Sequence, residues 1–233
     1  MPEPSDHERV NDYLLQLYGD DLFAPVRKAS EAHRTEHAAS LPGVGEQECG
    51  VYPSDPLKIR FLATLVQALA PRRILEIGCG LGYSALWLAN AAPAGARIET
   101  IDRFPDHVAL AEGYAGSFGL ADRISVIGGE AADILPRLEG PYDLIHDDGW
   151  FAQEPPYFER MVRLLRPGGL LVMSNWFLLS ESLLDKQMLD WSRFAGPSWR
   201  EHVQAYARAL TARPDLHVSF VLEPAVALAL KLP

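Results

Sequence analysis

Two stretches of this chain carry side chains that could do chemistry, and the first is a glycine loop. Glu76-Ile77-Gly78-Cys79-Gly80-Leu81-Gly82-Tyr83-Ser84 leads from an apolar run into the helix-like Ala85-Leu86-Trp87-Leu88. Glycines at a strand-to-helix turn let the backbone come close to a ligand seated at the helix N-terminus. Starting at Gly80, Gly-Leu-Gly-Tyr-Ser-Ala also fits the G-x-G-x-x-A variant of the dinucleotide fingerprint, so a nicotinamide nucleotide is one candidate. Glu76 argues against it. A carboxylate at the strand end would repel a pyrophosphate but attract the ammonium of an amino acid, and S-adenosylmethionine presents that ammonium. Asp102 ends the next apolar run, 22 residues beyond Gly80, where a carboxylate can accept from both ribose hydroxyls of either nucleotide type. Glu130 follows the third run, where an adenine would lie, and is equally a good dipole partner for the helix it precedes.

The second stretch is split in two, His146-Asp147-Asp148-Gly149-Trp150-Phe151 and Ser174-Asn175-Trp176-Phe177, each just past an apolar run. In open parallel sheets, ligands bind at such strand ends. If the cofactor is a sulfonium, the reaction is an in-line displacement at its methyl group, and the protein must desolvate, align and deprotonate an acceptor. Asp148 is the first candidate base. His146 is the second, since it shares the strand face of Asp148 and an unperturbed imidazole titrates near pH ~6.5; its alternative is a buried, satisfied core histidine. Asp147 should face the other way. Trp150, Phe151, Trp176 and Phe177 suggest an apolar box for a flat acceptor and for the sulfonium through cation–π attraction, or else ordinary core packing. His202 is expected at the surface.

The elements that must hold these residues can be read from periodicity. Strand-like runs fall at Ile74 to Ile77, Arg97 to Ile101, Ile124 to Ile127, Tyr142 to His146 and Leu170 to Met173, with helical segments at Ser84 to Ala91, Asp106 to Phe118, Ala131 to Leu138 and Tyr157 to Leu165 between them. Strict alternation predicts a parallel sheet with helices on both faces, and the near-continuous apolar strands agree. Asp55-Pro56 predicts the start of an amphipathic helix carrying Leu57, Phe61, Leu62, Leu65, Val66 and Leu69. Ser198 and Glu201 have capping-box spacing before Trp199, Val203, Tyr206 and Leu210. The last runs, His217 to Leu222 and Val226 to Leu232, are too close for a parallel crossover and should form a hairpin. The whole is a doubly wound, mostly parallel seven-stranded α/β sheet with an antiparallel C-terminal hairpin. Residues 1–50, with a helical pattern from Val10 to Ala32 (Val10, Leu14, Leu17, Leu22), read as an appended arm, and 51–233 as the main domain.

Composition limits the partners. The chain has 233 residues, 48% hydrophobic and 22% charged, enough for a substantial core. A net charge of −10, with ten acids against four bases in the first 50 residues, disfavours nucleic acid and anionic membrane. No secretory leader or membrane-length apolar run is evident, so a cytoplasmic protein is expected. Cys49 and Cys79 have neither disulfide-framework nor zinc-ligand spacing.

The segments "ILEIGCGLGYSALWLA", "IETIDRFPDH", "GLADRISVIGGEAADILPRL" and "YFERMVRLLRPGGLLV" resemble the catechol and caffeoyl-coenzyme A type of S-adenosylmethionine-dependent O-methyltransferase, over about Asp12 to the C-terminus. The resemblance implies the class I methyltransferase fold and a hydroxyl acceptor on a small aromatic metabolite. It assigns Glu76, Gly78, Cys79, Gly80, Tyr83 and Ser84 to the methionine part of the cofactor, Asp102 with Arg103 to the ribose, and Glu130 with Ala131 to the adenine, with Asp148 also bordering the cofactor. It further implies a homodimer with the arm near the partner, and a divalent metal held by an Asp after the fourth strand and an Asp-Asn pair after the fifth. Asp148 and Asn175 match. Ser174 stands in place of the second Asp, and Phe151 where a catalytic Lys often lies. One carboxylate is a poor set for a hard dication, so no metal ligands are assigned, and Asp148, Asn175 and His146 are left as the catalytic set. Alternatives are a metal-independent methyltransferase acting on nitrogen or another nucleophile, and a non-catalytic cofactor-binding module.

Overall fold

The structure is a computed structural model that describes residues 6–40, 51–149, 154–184, 191–192 and 196–233. A seven-stranded sheet runs through it in the order β3-β2-β1-β4-β5-β7-β6. Its strands are β1 (Arg73–Ile77), β2 (Arg97–Asp102), β3 (Ile124–Gly128), β4 (Tyr142–Asp147), β5 (Leu165–Met173), β6 (Leu216–Val221) and β7 (Val226–Lys231). The first five are parallel to one another, whereas β7 inserts antiparallel between β5 and β6. The order reverses between β1 and β4, and at such a switch point the carboxyl ends of the strands open a crevice.

Alternation along each strand gives the sheet two distinct faces. Ile74, Ile98, Leu144 and Val172 pack on one side with helices α3 (Pro56–Leu69) and α4 (Tyr83–Ala91). Leu75, Ile77, Ile101, Ile145 and Leu171 pack on the other with α7 (Phe158–Leu164) and α9 (Trp199–Thr211). Helices α5 (Pro105–Ser117), α6 (Ala131–Ile134) and α8 (Phe177–Leu183) complete the connections. Helix α3 forms as its sequence predicts: the Asp55 carboxylate accepts from Leu57 N–H at 2.7 Å, Pro56 occupies the first turn, and Ile59, Leu62 and Val66 are buried against the sheet.

Four expectations need correction. The N-terminal pattern is two helices, α1 (Asp6–Tyr18) and α2 (Ala24–Ser40), because Gly19 takes φ +71° and Asp21 then caps the next turn by accepting from Phe23 N–H at 3.1 Å. The apolar side of that pattern is largely exposed, with Val10, Leu17 and Leu22 each more than half exposed. Strand β5 begins at Leu165, five residues earlier than its apolar run, since Leu165 is already extended and Pro167 cannot continue a helix; a register shift against β4 absorbs the extra length. At α9 the capping-box hydrogen bond is absent, because Ser198 sits at φ −93°, ψ 18° rather than in the β region a side-chain cap needs. The buried positions Trp199, Val203, Tyr206 and Leu210 hold that helix in place instead.

Candidate active site

The crevice at the switch point is built by backbone. Gly78 follows β1 at φ +90°, and a Cβ there would lie 2.9 Å from the Asp148 carbonyl oxygen, so only glycine lets the ends of β1 and β4 come this close. Asp148 N–H donates to Ile77 O at 2.9 Å, while Gly78 and Cys79 N–H both reach Ile101 O at 3.0 Å. The glycine loop and the Asp148 loop therefore touch. Cys79 is buried, and burial, then Glu76, push its thiol up, which leaves it inert.

Asp102 stands where the ribose contact is expected. It accepts from Gly80 N–H at 2.8 Å and from Phe104 N–H at 3.0 Å, and lies 3.1 Å from His107 Nδ1. Ser84 is buried in the first turn of α4. Arg103 and Glu130 form an exposed pair at 3.8 Å with Ala131 beside it, at the rim where the adenine is expected. Tyr83 points elsewhere than the loop: its hydroxyl donates to Asp21 of the arm at 2.9 Å, and Asp21 also pairs with Arg27 at 3.1 Å. Burial and the Asp21 carboxylate raise the Tyr83 phenol well above its usual range, so it stays a neutral donor. His33 of α2 reaches Asp106 of α5 at 3.4 Å, a second tie between the arm and the cofactor side.

A polar row crosses the α3 face of the sheet. Register sets Thr100 of β2 opposite Glu76 of β1, and Glu76 opposite His146 of β4. Thr100 Oγ1 donates to Glu76 at 2.7 Å, His146 Nδ1 lies 3.1 Å from Glu76, and His146 Nε2 lies 3.1 Å from Ser174 Oγ. A carboxylate only accepts, so Nδ1 carries a proton toward Glu76; in the neutral ring Nε2 then accepts from the Ser174 hydroxyl. All four side chains are fully buried. As placed, Glu76 is an internal partner rather than an open ligand for an ammonium, and His146 has both nitrogens engaged.

Asp148 continues the same face beyond β4, and what meets it comes from the start of α3. Ser54 Oγ donates to it at 2.8 Å, and Lys58 Nζ lies 3.3 and 3.5 Å from its two oxygens. Burial alone would push the Asp148 carboxyl up, but the Lys58 ammonium, with His146 and the Ser54 hydroxyl, outweighs it and holds the group at about 2. Asp147, on the opposite face, accepts from Gly149 N–H at 3.2 Å, and burial raises it to about 6. Asn175 takes φ +67°, a conformation asparagine tolerates, and its Nδ2 donates to Gly149 O at 3.2 Å, tying the two strand-end loops together.

The aromatic box does not assemble as expected. Trp176 is buried in the opposite core, 4.8 Å from Phe220 and 5.5 Å from Tyr206, and Phe177 packs with Trp191. Trp150 and Phe151 lie outside the described residues. His202 is exposed, as expected. Sequence reasoning missed Ser54, Lys58 and Thr100. Lys58 had a signal, because it stands on one helical stripe with Leu62 and Val66, and a cation on a buried stripe calls for a buried anion.

These residues do not fit a divalent metal. Among the described residues the ends of β4 and β5 offer one carboxylate on the α3 face, and that carboxylate is already held by a hydroxyl and an ammonium. Ser174 is turned to His146, and a dication at Asp148 would sit beside Lys58.

A glycine-loop crevice at the switch point of a 3-2-1-4-5-7-6 sheet, with an acid at the end of β2 and polar groups beyond β4 and β5, defines a nucleotide-cofactor transferase. The O-methyltransferase family model matches residues 54–221. The chain is 35% identical to the catechol O-methyltransferase of Niastella koreensis over 178 residues, covering 72% of each chain. It is 38% identical to that of Mycobacterium tuberculosis over 177 residues, covering 75% of this chain and 73% of the other. Among solved structures, the O-methyltransferase TomG of Streptomyces achromogenes, in complex with SAM, superposes with a TM-score of 0.73 at 27% identity, over 99% of this chain and 100% of the other. This chain belongs to the O-methyltransferase family.

Proposed function

We propose that this chain transfers the methyl group of S-adenosylmethionine to a hydroxyl of a small aromatic acceptor, with no divalent metal. The observation that carries the reading is the contact between the two loops. Gly78 brings the cofactor loop against Asp148, so a methyl donor seated on the loop would face Asp148 and Asn175. In this reading Asp102 takes the ribose, Arg103, Glu130 and Ala131 flank the adenine, and the backbone and Ser84 hold the methionine part. Glu76 acts through His146, fixing the floor of the crevice instead of contacting the ammonium. Asp148, held at about 2, serves as a counterion rather than as a strong base.

Transfer to oxygen is favoured over nitrogen by the family and by the Lys58 ammonium at the crevice, which suits an oxyanion and repels a cationic amine. The exposed Val10, Tyr13, Leu17 and Leu22 support a homodimer formed through the arm. Among the described residues no helix is long and apolar enough to cross a membrane, and the low cysteine content suits the cytoplasm. Calorimetry with S-adenosylhomocysteine and with NAD, followed by methyl transfer to a panel of phenols in EDTA, tests the reading. Binding of the sulfur nucleotide and EDTA-resistant turnover are expected. NAD binding without a response to S-adenosylhomocysteine would overturn it, and a monomer by sedimentation would remove the dimer.

A further inference from the structure

The crevice has no donor set for a metal, yet it has a cation. Lys58 reaches from the first turn of α3 to Asp148 and is only 12% exposed, with Asp148 13% exposed. Ser54, just before the helix, donates to Asp148 Oδ2 at 2.8 Å, while the nearer Lys58 contact is to Oδ1. The ammonium is thus held at the start of α3 against Asp148, whose neighbour Gly149 is clasped through its carbonyl by Asn175. His146 is the other cation-capable group acting on Asp148, and Asp147 faces the opposite side of the sheet. An ammonium has three N–H donors, and the contacts to Asp148 leave at least one of them for another acceptor.

We propose that Lys58 is the resident cation of the acceptor site, where its ammonium binds the acceptor oxygen as an oxyanion and does the work a divalent metal would otherwise do. This rests on the methyltransferase reading above. The acceptor's proton leaves to water before transfer. The oxyanion then attacks the sulfonium methyl carbon, the C–O bond forms as the C–S bond breaks, and the C–S pair stays on sulfur, giving a methyl ether and S-adenosylhomocysteine. Lys58 keeps its proton throughout. Its contribution is that an opposite charge within a few ångströms lowers the pKa of a bound hydroxyl, by at most about one to three pH units and by less where the Asp148 carboxylate also faces it. The Asp148–Lys58 pair is neutral overall, so it holds the oxyanion by hydrogen bonding and local charge without attracting anions in general.

The test uses 4-nitrocatechol, whose visible absorbance separates phenol from phenolate, bound to the full-length protein with S-adenosylhomocysteine and EDTA. In the wild type the probe should ionise at a pH lower than in free solution by about one unit or more. Lys58→Met should abolish that shift, Lys58→Arg should keep most of it, and magnesium should change neither. With S-adenosylmethionine, the pH at which turnover is half-maximal should rise in Lys58→Met and return toward wild type in Lys58→Arg. The proposal is overturned if the wild type shows no shift, if Lys58→Met retains it, or if the shift needs magnesium. Failure to bind S-adenosylhomocysteine at all would instead overturn the methyltransferase reading itself.

Discussion

Removing the Lys58 charge should destabilise the protein in a manner tied to one carboxylate. Asp148 is mostly buried, and its pKa moves from an ordinary 3.8 to about 2 because Lys58 outweighs burial. That displacement corresponds to about 2 kcal/mol favouring the folded state at pH 7. In Lys58→Met, burial acts unopposed by the ammonium, so the loss should reach about 2–4 kcal/mol, short of the full cost of breaking a buried pair, because both groups retain some solvent. For a chain of this size that lowers the melting temperature by roughly 5–12 °C. The folded-state pKa is depressed, so the contribution is full above the unfolded value and is lost as pH falls through 3.8 toward about 2. In Lys58→Met the unopposed burial raises the same carboxyl, so the gap between wild type and variant should begin to close above 3.8 and finish closing toward about 2. Calorimetric melts of wild type, Lys58→Met, Asp148→Asn and the double variant at pH 7 give the coupling directly. A Lys58→Met melting temperature within about 1 °C of wild type, or a coupling energy below about 0.5 kcal/mol, would refute the reasoning.

Gly78→Ala should lose binding of S-adenosylhomocysteine and cost about 1–3 kcal/mol, since φ +90° and a Cβ 2.9 Å from Asp148 O are both strained; thermal shifts with and without the nucleotide measure each effect. Tyr83→Phe removes the hydroxyl from Asp21 and should cost about 1 kcal/mol while speeding proteolysis near Gly19, with unchanged cleavage counting against the arm contact. Glu76→Gln swaps a buried acceptor shared by Thr100 and His146 for an amide that must misplace a donor, so melting should fall by about 2 kcal/mol with a smaller change in nucleotide affinity. The opposite ranking by calorimetry would return Glu76 to the ammonium.

What was legible in the sequence is what depends on local chemistry. The five parallel strands and the hairpin follow from apolar runs and loop lengths, and the glycine loop follows from the spacing of Gly78, Gly80 and Gly82. Register was not legible. Nothing in the spacing of Thr100, Glu76, His146 and Ser174 says they form one row, since that depends on which strands are neighbours and how far each is shifted. Spacing alone therefore does not reveal that Glu76 pairs with Thr100 and His146. Trp176 looked like a box residue because it follows a strand end, but the turn that sets Asn175 at positive φ sends the next side chain into the opposite core.

The same pairing explains why the departure from the family pattern at residue 174 belongs with Lys58. An aspartate at 174 would bring a second buried carboxylate to the end of a row that already holds Glu76, and would need a metal or another cation to be tolerated. With serine there, the row ends on a hydroxyl instead of a second carboxylate, and Asp148 is the acid beyond β4 that meets Lys58. One ammonium suffices for one carboxylate. The charge count of the crevice, rather than any single residue, decides whether it recruits a metal.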